Sequence, residues 1–582
     1  MAQQSLDFGT GAANDGEYIR TAFPKIQANF EELYGVQGLT ADTNSSAVRT
    51  ANTAAIQARI DAVYAARTQL VILPPGVYYC DPGIYLDAPT NLRSTPSAPT
   101  IFNFSLHLKG GGGGTGDGTA HGTELHFTDN TSEAVIVGTG QGMRVSDLAI
   151  IGPSDVSSRI ALPANGIGVA LAGGSGGLSV CTLEHVTVHN FRKNVVTGYN
   201  SDSLCDSVTL FKCHIGHGYI GLHVSQTQNY IISLIDCVFH DNTTSVYSPT
   251  GKAVNVRGGN YSATDADRNA FTIGSTSTLS SLSDSFAGST FTNWSFTTTL
   301  SADDQPMLDG SYDVFVINTT GFGLIPLVLT NYNSGTKVAT FKFYVGWLTA
   351  HYKSIDLKAN TDIETELQAA TLLYACETVT PFYGTGINVD GVHVENPGVL
   401  TRLVSTQGTV TGDRVSRISK TFFNYTINHA DFAAGTNAQK AVFYCQQVFP
   451  FIRQVQGGVE CANLRLLSDG TYVGRGKDGV NIEAIGNTTA YRLIVRDSDF
   501  YHPNITVPLY GIVGDETLQP SMSIGTGEWD STPFLPGAAQ VDPVPPLLNG
   551  VAFLGWRPDP TTTPRLTAAQ LADIEDGLGA VG

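Results

Sequence analysis

Leu148-Ala-Ile150, Val186-Thr-Val188, Cys213-His-Ile215, Cys237-Val-Phe239 and Val392-His-Val394 are short stretches built alike, each with apolar residues at alternate positions. Three places before each stands another apolar residue: Val145, Leu183, Leu210, Leu234 and Val389. Alternation at period two marks a strand with one face in a core. The starts at 186 and 213 lie 27 residues apart and those at 213 and 237 lie 24 apart. That length suits three short strands and three turns, so the repeat predicts a solenoid whose coils stack strand on strand. Gly259-Asn-Tyr261 fits less well as the coil after Cys237.

The composition agrees with an all-β chain. Its 582 residues are 42% hydrophobic and only 14% charged, and 63 glycines are spread throughout, a balance that favours strands and turns over surface helices. The length exceeds several times a usual domain of roughly 100–200 residues. With 51 acidic against 32 basic residues the formal charge is −19; without a basic stripe, nucleic acid is not expected as a partner.

No window of about 18 apolar residues is present, so membrane insertion is not expected. The opening Met-Ala-Gln-Gln-Ser-Leu-Asp has neither a basic nor an apolar run, which predicts synthesis in the cytoplasm without a signal peptide. The eight cysteines show no C-x-x-C spacing, and buried free thiols are expected rather than a zinc or redox motif. The run Lys109-Gly-Gly-Gly-Gly-Gly-Thr-Gly-Asp-Gly-Thr lacks the Gly-Lys-Ser/Thr of a phosphate loop and reads as a turn. No cofactor is expected.

Residues 8–34 carry Gly9-Thr, Asn14-Asp-Gly, Arg20-Thr-Ala-Phe, Lys25-Ile, Asn29-Phe and Glu32-Leu-Tyr, with Ile19, Phe23, Ile26, Phe30 and Leu33 at heptad spacing. Pro24 kinks this segment or starts its helix. The segment resembles a motif common near the start of phage tail proteins, which implies attachment to phage tail or baseplate proteins and a homotrimer. Next, Asn52 is suited to cap a helix with Ile56, Ile60 and Val63 on one face, followed by Val71-Ile-Leu-Pro-Pro-Gly-Val-Tyr-Tyr79. This succession is similar to the start of the pectate-lyase-like superfamily, in which a helix caps the end of the solenoid. The fold class implied is a right-handed parallel β-helix with short N-terminal helices.

The expected organisation is a virion-attachment segment over 1–40, β-helix over 41–264, an inserted β domain over 265–380, β-helix again over 381–505 and a C-terminal region over 506–582. The insert is suggested by lost register and by Ala339, Phe341, Phe343, Val345 and Trp347, which alternate as in a half-buried antiparallel strand. The last region is proline-rich and ends in a short helix with a Thr567/Gln570 capping box.

Stacked repeats put equivalent residues in columns about 4.8 Å apart. Three places after each anchor the column reads His189, Gly216, His240, Ser262, Glu395; four places after, Asn190, His217, Asp241, Ala263, Asn396. Six of the thirteen histidines lie between 185 and 240. The catalytic candidates are Asp241 and Glu395, one as general acid and the other as base or nucleophile, with His240 orienting either; a lyase would instead use a histidine or Arg257. Sugar contacts are assigned to His189, His217 and Trp347. Asp202, Asp206, Asp265, Asp267 and Asp390 are rivals, and polar residues at strand ends more often serve turns or face water. A metal at His189 and His217 lacks a third convincing ligand.

The resemblance and the columns together predict a virion-borne tail spike that binds and depolymerises bacterial surface polysaccharide. The alternative is a receptor-binding or structural tail fibre of the same fold. A free secreted pectinase-like enzyme fits the missing signal peptide poorly.

Overall fold

The computed structural model describes residues 35–86 except 67, most of 105–263, individual strands between 271 and 376, 378–395, 402–406, 415–424, parts of 452–467, and separate strands from 480 to 558. The attachment segment of residues 8–34, Trp347 and the C-terminal helix lie outside the described residues. Contacts divide the chain into two units, residues 1–238 and 239–582.

The first unit opens with the helix Ser46–Ala65. Ile56, Ile60 and Val63 bury one face of it as expected, but Ser45 is its N-cap, accepting from the Val48 amide. Asn52 instead lies inside the helix and fully buried, where its amide donates to the Thr40 and Tyr79 carbonyls and accepts from the Thr40 N–H. It ties the helix to the first coil, and its burial is tolerable because its polar atoms are used. Among the described residues no helix is long and apolar enough to cross a membrane.

Two parallel ladders follow. One runs from Leu70–Ile72 through His107–Lys109, Gly140–Ile151, Leu178–His189 and Cys205–Phe211 to Ile231–Ile235. The other runs through Ile84–Leu86, Glu133–Val137, Ile167–Leu171, Lys193–Thr197 and Ile220–Val224. This is a parallel β-helix. Val145, Leu183, Leu210 and Leu234 stand in register on successive coils and are buried, as are Leu148, Val186, Cys213 and Cys237. Each column removes the same apolar position of every coil from water, worth about 25 cal/mol per Å2. The described cysteines, Cys80, Cys181, Cys205, Cys213, Cys237 and Cys461, are all free and buried.

In the second unit Val254–Arg257 and Asn260–Ser262 pair directly with Ile387–Asp390 and His393–Glu395. The intervening residues therefore leave the solenoid and return without costing it a coil. They build a separate antiparallel sheet in the order Phe271–Thr272, Leu372–Cys376, Val314–Thr319, Gly323–Asn333, Val338–Phe343, Ser295–Thr299, Ser281–Leu282. Ala339 and Phe341 are buried in it. The solenoid ladders run on through Val415–Ser419, Gly458–Ala462 and Leu493–Arg496 to Met522–Ile524, and through Val480–Ala484 and Tyr510–Gly514 to Trp556–Pro558.

Candidate functional site

Each coil bends at single residues with positive φ. In the first unit the bend in the first ladder falls at Asp147, His185, Lys212 and Asp236, with φ between 50° and 57°, and a second bend falls at Asn190 and His217. In the second unit the bends are at Gly258, Gly391, Lys420 and Asn463, and at Asp241 with φ 51°. A Cβ is disfavoured in this region, and Asn, Asp and His tolerate it best among residues other than glycine. The column Asn190, His217, Asp241, singled out in the sequence as a candidate chemical surface, is thus also a column of corner residues. Turn geometry accounts for their identity without any chemistry.

The six histidines of residues 185–240 do not make one ridge. His185 stands on an exposed corner, 3.3 Å from Asp147 Oδ1 and packed 5.9 Å from the Phe211 ring. His223 lies on the second ladder beside Val196, and burial, then the Lys193 charge, pushes its pKa down to about 3. His189, His214 and His217 come together: the His189 ring lies 4.8 Å from that of His214 and 5.3 Å from that of His217, nearly perpendicular to both. His189 is buried, and the other two are half-buried. The register explains the cluster, because His189 pairs with Gly216, which has no side chain to come between the rings.

In the second unit the ladder places Ser262 beside Glu395 and Glu395 beside Asn424, the column that the repeat alignment gives for the first pair. The Asp241 N–H donates to the Ser262 carbonyl at 2.8 Å, so Asp241 and Glu395 are two coils apart, a backbone separation of about 10 Å. Asp241 is buried, with Oδ2 3.3 Å from His240 Nδ1; Glu395 is half-buried. Nearer solvent, Asp390 accepts from Ser419 Oγ at 2.8 Å and lies 3.5 Å from Lys420 Nζ, with Arg257 in register beside it. The Ser419 hydrogen bond above all, and the Lys420 charge, hold its pKa below the ordinary carboxylate value. Of the other rivals, Asp206 lies on the strand Cys205–Phe211, and Asp202, Asp265 and Asp267 lie outside the described residues.

Two polar groupings escaped the sequence reading. On the first ladder His107 sits 2.9 Å from Ser146 Oγ, Ser146 donates to Asp147, and Arg144 pairs with Glu184. Burial, then the Arg144 and Lys109 charges, pushes His107 down to about 4. Glu124, fully buried, meets His126 Nε2 at 2.8 Å. The only sequence signal of that pair is the alternation Glu124-Leu-His126, which puts both side chains on one face of a strand.

No protein-family model and no curated protein matches the chain. Among solved structures it is similar to the tailspike protein of E. coli bacteriophage HK620 in complex with a pentasaccharide, at 11% identity over 86% of this chain and 68% of that one, with a TM-score of 0.38. It is also similar to ORF18 of Geobacillus virus E2, at 9% identity over 89% and 65% of the two chains with a TM-score of 0.33. A third similar structure is the Agl-KA catalytic domain, at 8% identity over 90% and 68% with a TM-score of 0.35. The chain spans about two thirds of the length of each. At such identities function has to be argued from the residues of the site itself.

Proposed function

We propose that this protein is a phage tail spike that binds bacterial surface polysaccharide and cleaves it during host adsorption. The observation that carries the reading is the second-unit solenoid face on which His240 and Asp241 touch and Glu395 stands two coils on. A parallel β-helix offers a long regular surface along which a polysaccharide can lie, with side chains repeating about every 4.8 Å. Backbones about 10 Å apart let two carboxyl groups reach the roughly 6.5–9.5 Å separation at which one protonates the leaving oxygen and the other activates water. In this scheme Glu395 is the acid, Asp241 the base and His240 its positioning partner; His217 and Trp347 contact sugar, and buried His189 backs the His217 ring. Residues 8–34 attach the protein to the tail or baseplate as a homotrimer, in keeping with the motif they resemble.

A second reading, a spike that binds its receptor without cleaving it, is favoured by one observation: Asp241 is a buried corner residue at φ 51°, which a turn alone explains. The two separate in one assay. Purified host surface polysaccharide is treated with the parent protein, Asp241→Asn and Glu395→Gln, and reducing ends and unsaturated-uronate absorbance are followed. Cleavage by the parent with a loss of 100-fold or more in both variants is expected. Equal cleavage by all three would discard these carboxylates, and no cleavage by any, with tight binding to host cells, would leave the receptor-binding spike.

A further inference from the structure

We propose that the outer face of the first ladder, over Leu178–His189, Cys205–Phe211 and Ile231–Ile235, is turned to an axis shared by three copies of this chain, whose solenoids meet through it. This rests on the tail-spike reading, which supplies the trimer. Among the described residues the large apolar side chains most open to solvent are Ile231 at 52%, Val180 at 46% and Tyr199 at 38%. Two of the three stand in one column, since Ser207 pairs with Val180 on one side and with Ile231 on the other. Beside it runs the column Thr182, Thr209, Ser233, and beyond that Glu184, Phe211 and Ile235, all half-buried. The first two columns carry no charge, although the chain carries −19 in all, and Glu184 in the third is paired with Arg144. Short hydroxyl and β-branched side chains leave a smooth sheet face, and an uncharged, partly apolar patch of that kind marks where another surface lies.

The occupant is a second copy because of where the heptad segment joins the solenoid. Ile19, Phe23, Ile26, Phe30 and Leu33 repeat at the spacing of a helix that packs on helices of its own kind. The chain that follows enters this same ladder: Gly35 pairs with Ile72, and the Val36 N–H donates to the Ile72 carbonyl at 2.9 Å. Helices gathered on one axis therefore bring the first ladders of their copies to that axis before any other sheet. Magnitudes show that neither contact suffices alone. Three coils by five strand residues make a patch of about 10 by 16 Å, well below the roughly 800 Å2 that each partner buries in a stable contact. Two heptads likewise fall short of the three or four that hold by themselves. Joined in one chain, the first contact raises the effective concentration for the second, so the two act together.

The test uses the full chain, its mass followed by light scattering on dilution and its contacts trapped with a short bismaleimide. The described cysteines are buried, and the untreated and treated parent serves as the control for all native thiols. The parent is expected at three times the chain mass. Ile231→Cys should give a covalent dimer on a denaturing gel, and Tyr199→Cys, exposed beyond the second ladder, should not. Val180→Asp combined with Ile231→Asp should raise the concentration of half-dissociation about tenfold or more, with far-UV circular dichroism checking that the variant is folded. A monomeric parent overturns the face and the trimer with it, and leaves cleavage to the polysaccharide assay. In a trimeric parent, a link at Ile231→Cys no stronger than at Tyr199→Cys overturns the face and leaves the trimer standing.

Discussion

The coils bracketing residues 264–377 and the antiparallel sheet built within that stretch are both β-structure, yet they obey different constraints. In the solenoid, position within the coil decides everything: Val256, Val389 and Ile418 stack in one buried column, so each coil must present an apolar residue at the same place. In the sheet, pairing is antiparallel between strands close in sequence, such as Val314–Thr319 with Gly323–Asn333, and burial alternates along one strand, as at Ala339 and Phe341. The difference teaches why the solenoid tolerates so large an interruption. A stacked coil needs only its neighbours, and the ladder closes from Val256 to Val389 as it does between uninterrupted coils.

The largest way to break that contrast is at Gly384, where the chain has re-entered the solenoid. Its φ is +127°, and a Cβ built there would lie 2.0 Å from the Ser248 carbonyl oxygen. Neither strain can be relieved by a side-chain rotation, because the obstacle is the backbone of the preceding coil. Gly384→Ala should cost about 3 kcal/mol or more, read as a lowered urea midpoint, with protection from hydrogen exchange lost over Phe382–Gly384 and Val404–Ser405 first. Unchanged stability would mean that the two coils are not stacked as described.

A smaller effect sharpens the same comparison through pH. His223 has its pKa pushed down to about 3, chiefly by burial, against about 6.5 in an unfolded chain. The folded state thus refuses a proton that the unfolded state accepts. The stability contributed is complete above pH 6.5 and is lost as the pH falls toward 3, by about 1.4 kcal/mol per pH unit. Between pH 7 and pH 5 the protection factors, that is exchange corrected for its own intrinsic pH dependence, should fall in the ladder strands Lys193–Thr197 and Ile220–Val224 while those of Val314–Thr319 and Val338–Phe343 change little. His223→Gln should flatten the difference; if it does not, another group carries the acid response.

What could be read in the sequence follows the same division. The interior columns are legible because a stacked core repeats its apolar residues at fixed offsets, which is why Val145, Leu183, Leu210 and Leu234 align in the sequence itself. The corners are less legible for a related reason. A positive φ leaves no apolar period, only a tolerance for Asn, Asp, His or Gly, so at Asp241 and His217 the sequence cannot separate a corner residue from a chemical one. Alternation along Cys213-His-Ile215 says only that His214 faces away from the core; that its ring lies against that of His189 shows once Gly216 stands beside His189. Asn52 was misread as a cap because a polar residue before an apolar period usually is one. Here the helix starts six residues earlier, and a partner on another element uses the amide.

The smallest expected effect belongs to removing the antiparallel sheet. No described strand of it joins either solenoid ladder, and the chain leaves and re-enters at points that touch, since buried Ala263 packs against buried Val379. Replacing residues 265–377 by a short glycine-serine linker therefore closes a gap that is already nearly closed, and the loop-closure term changes by only about 0.6 kcal/mol for each halving of loop length. The shortened chain should keep a cooperative unfolding transition, with a denaturant midpoint close to the parent's and a shallower slope in proportion to the surface removed. A chain that no longer folds would show that the sheet props up the coils around it. In that case the register from Val256 to Val389 would be a consequence of the sheet's docking rather than of stacking alone.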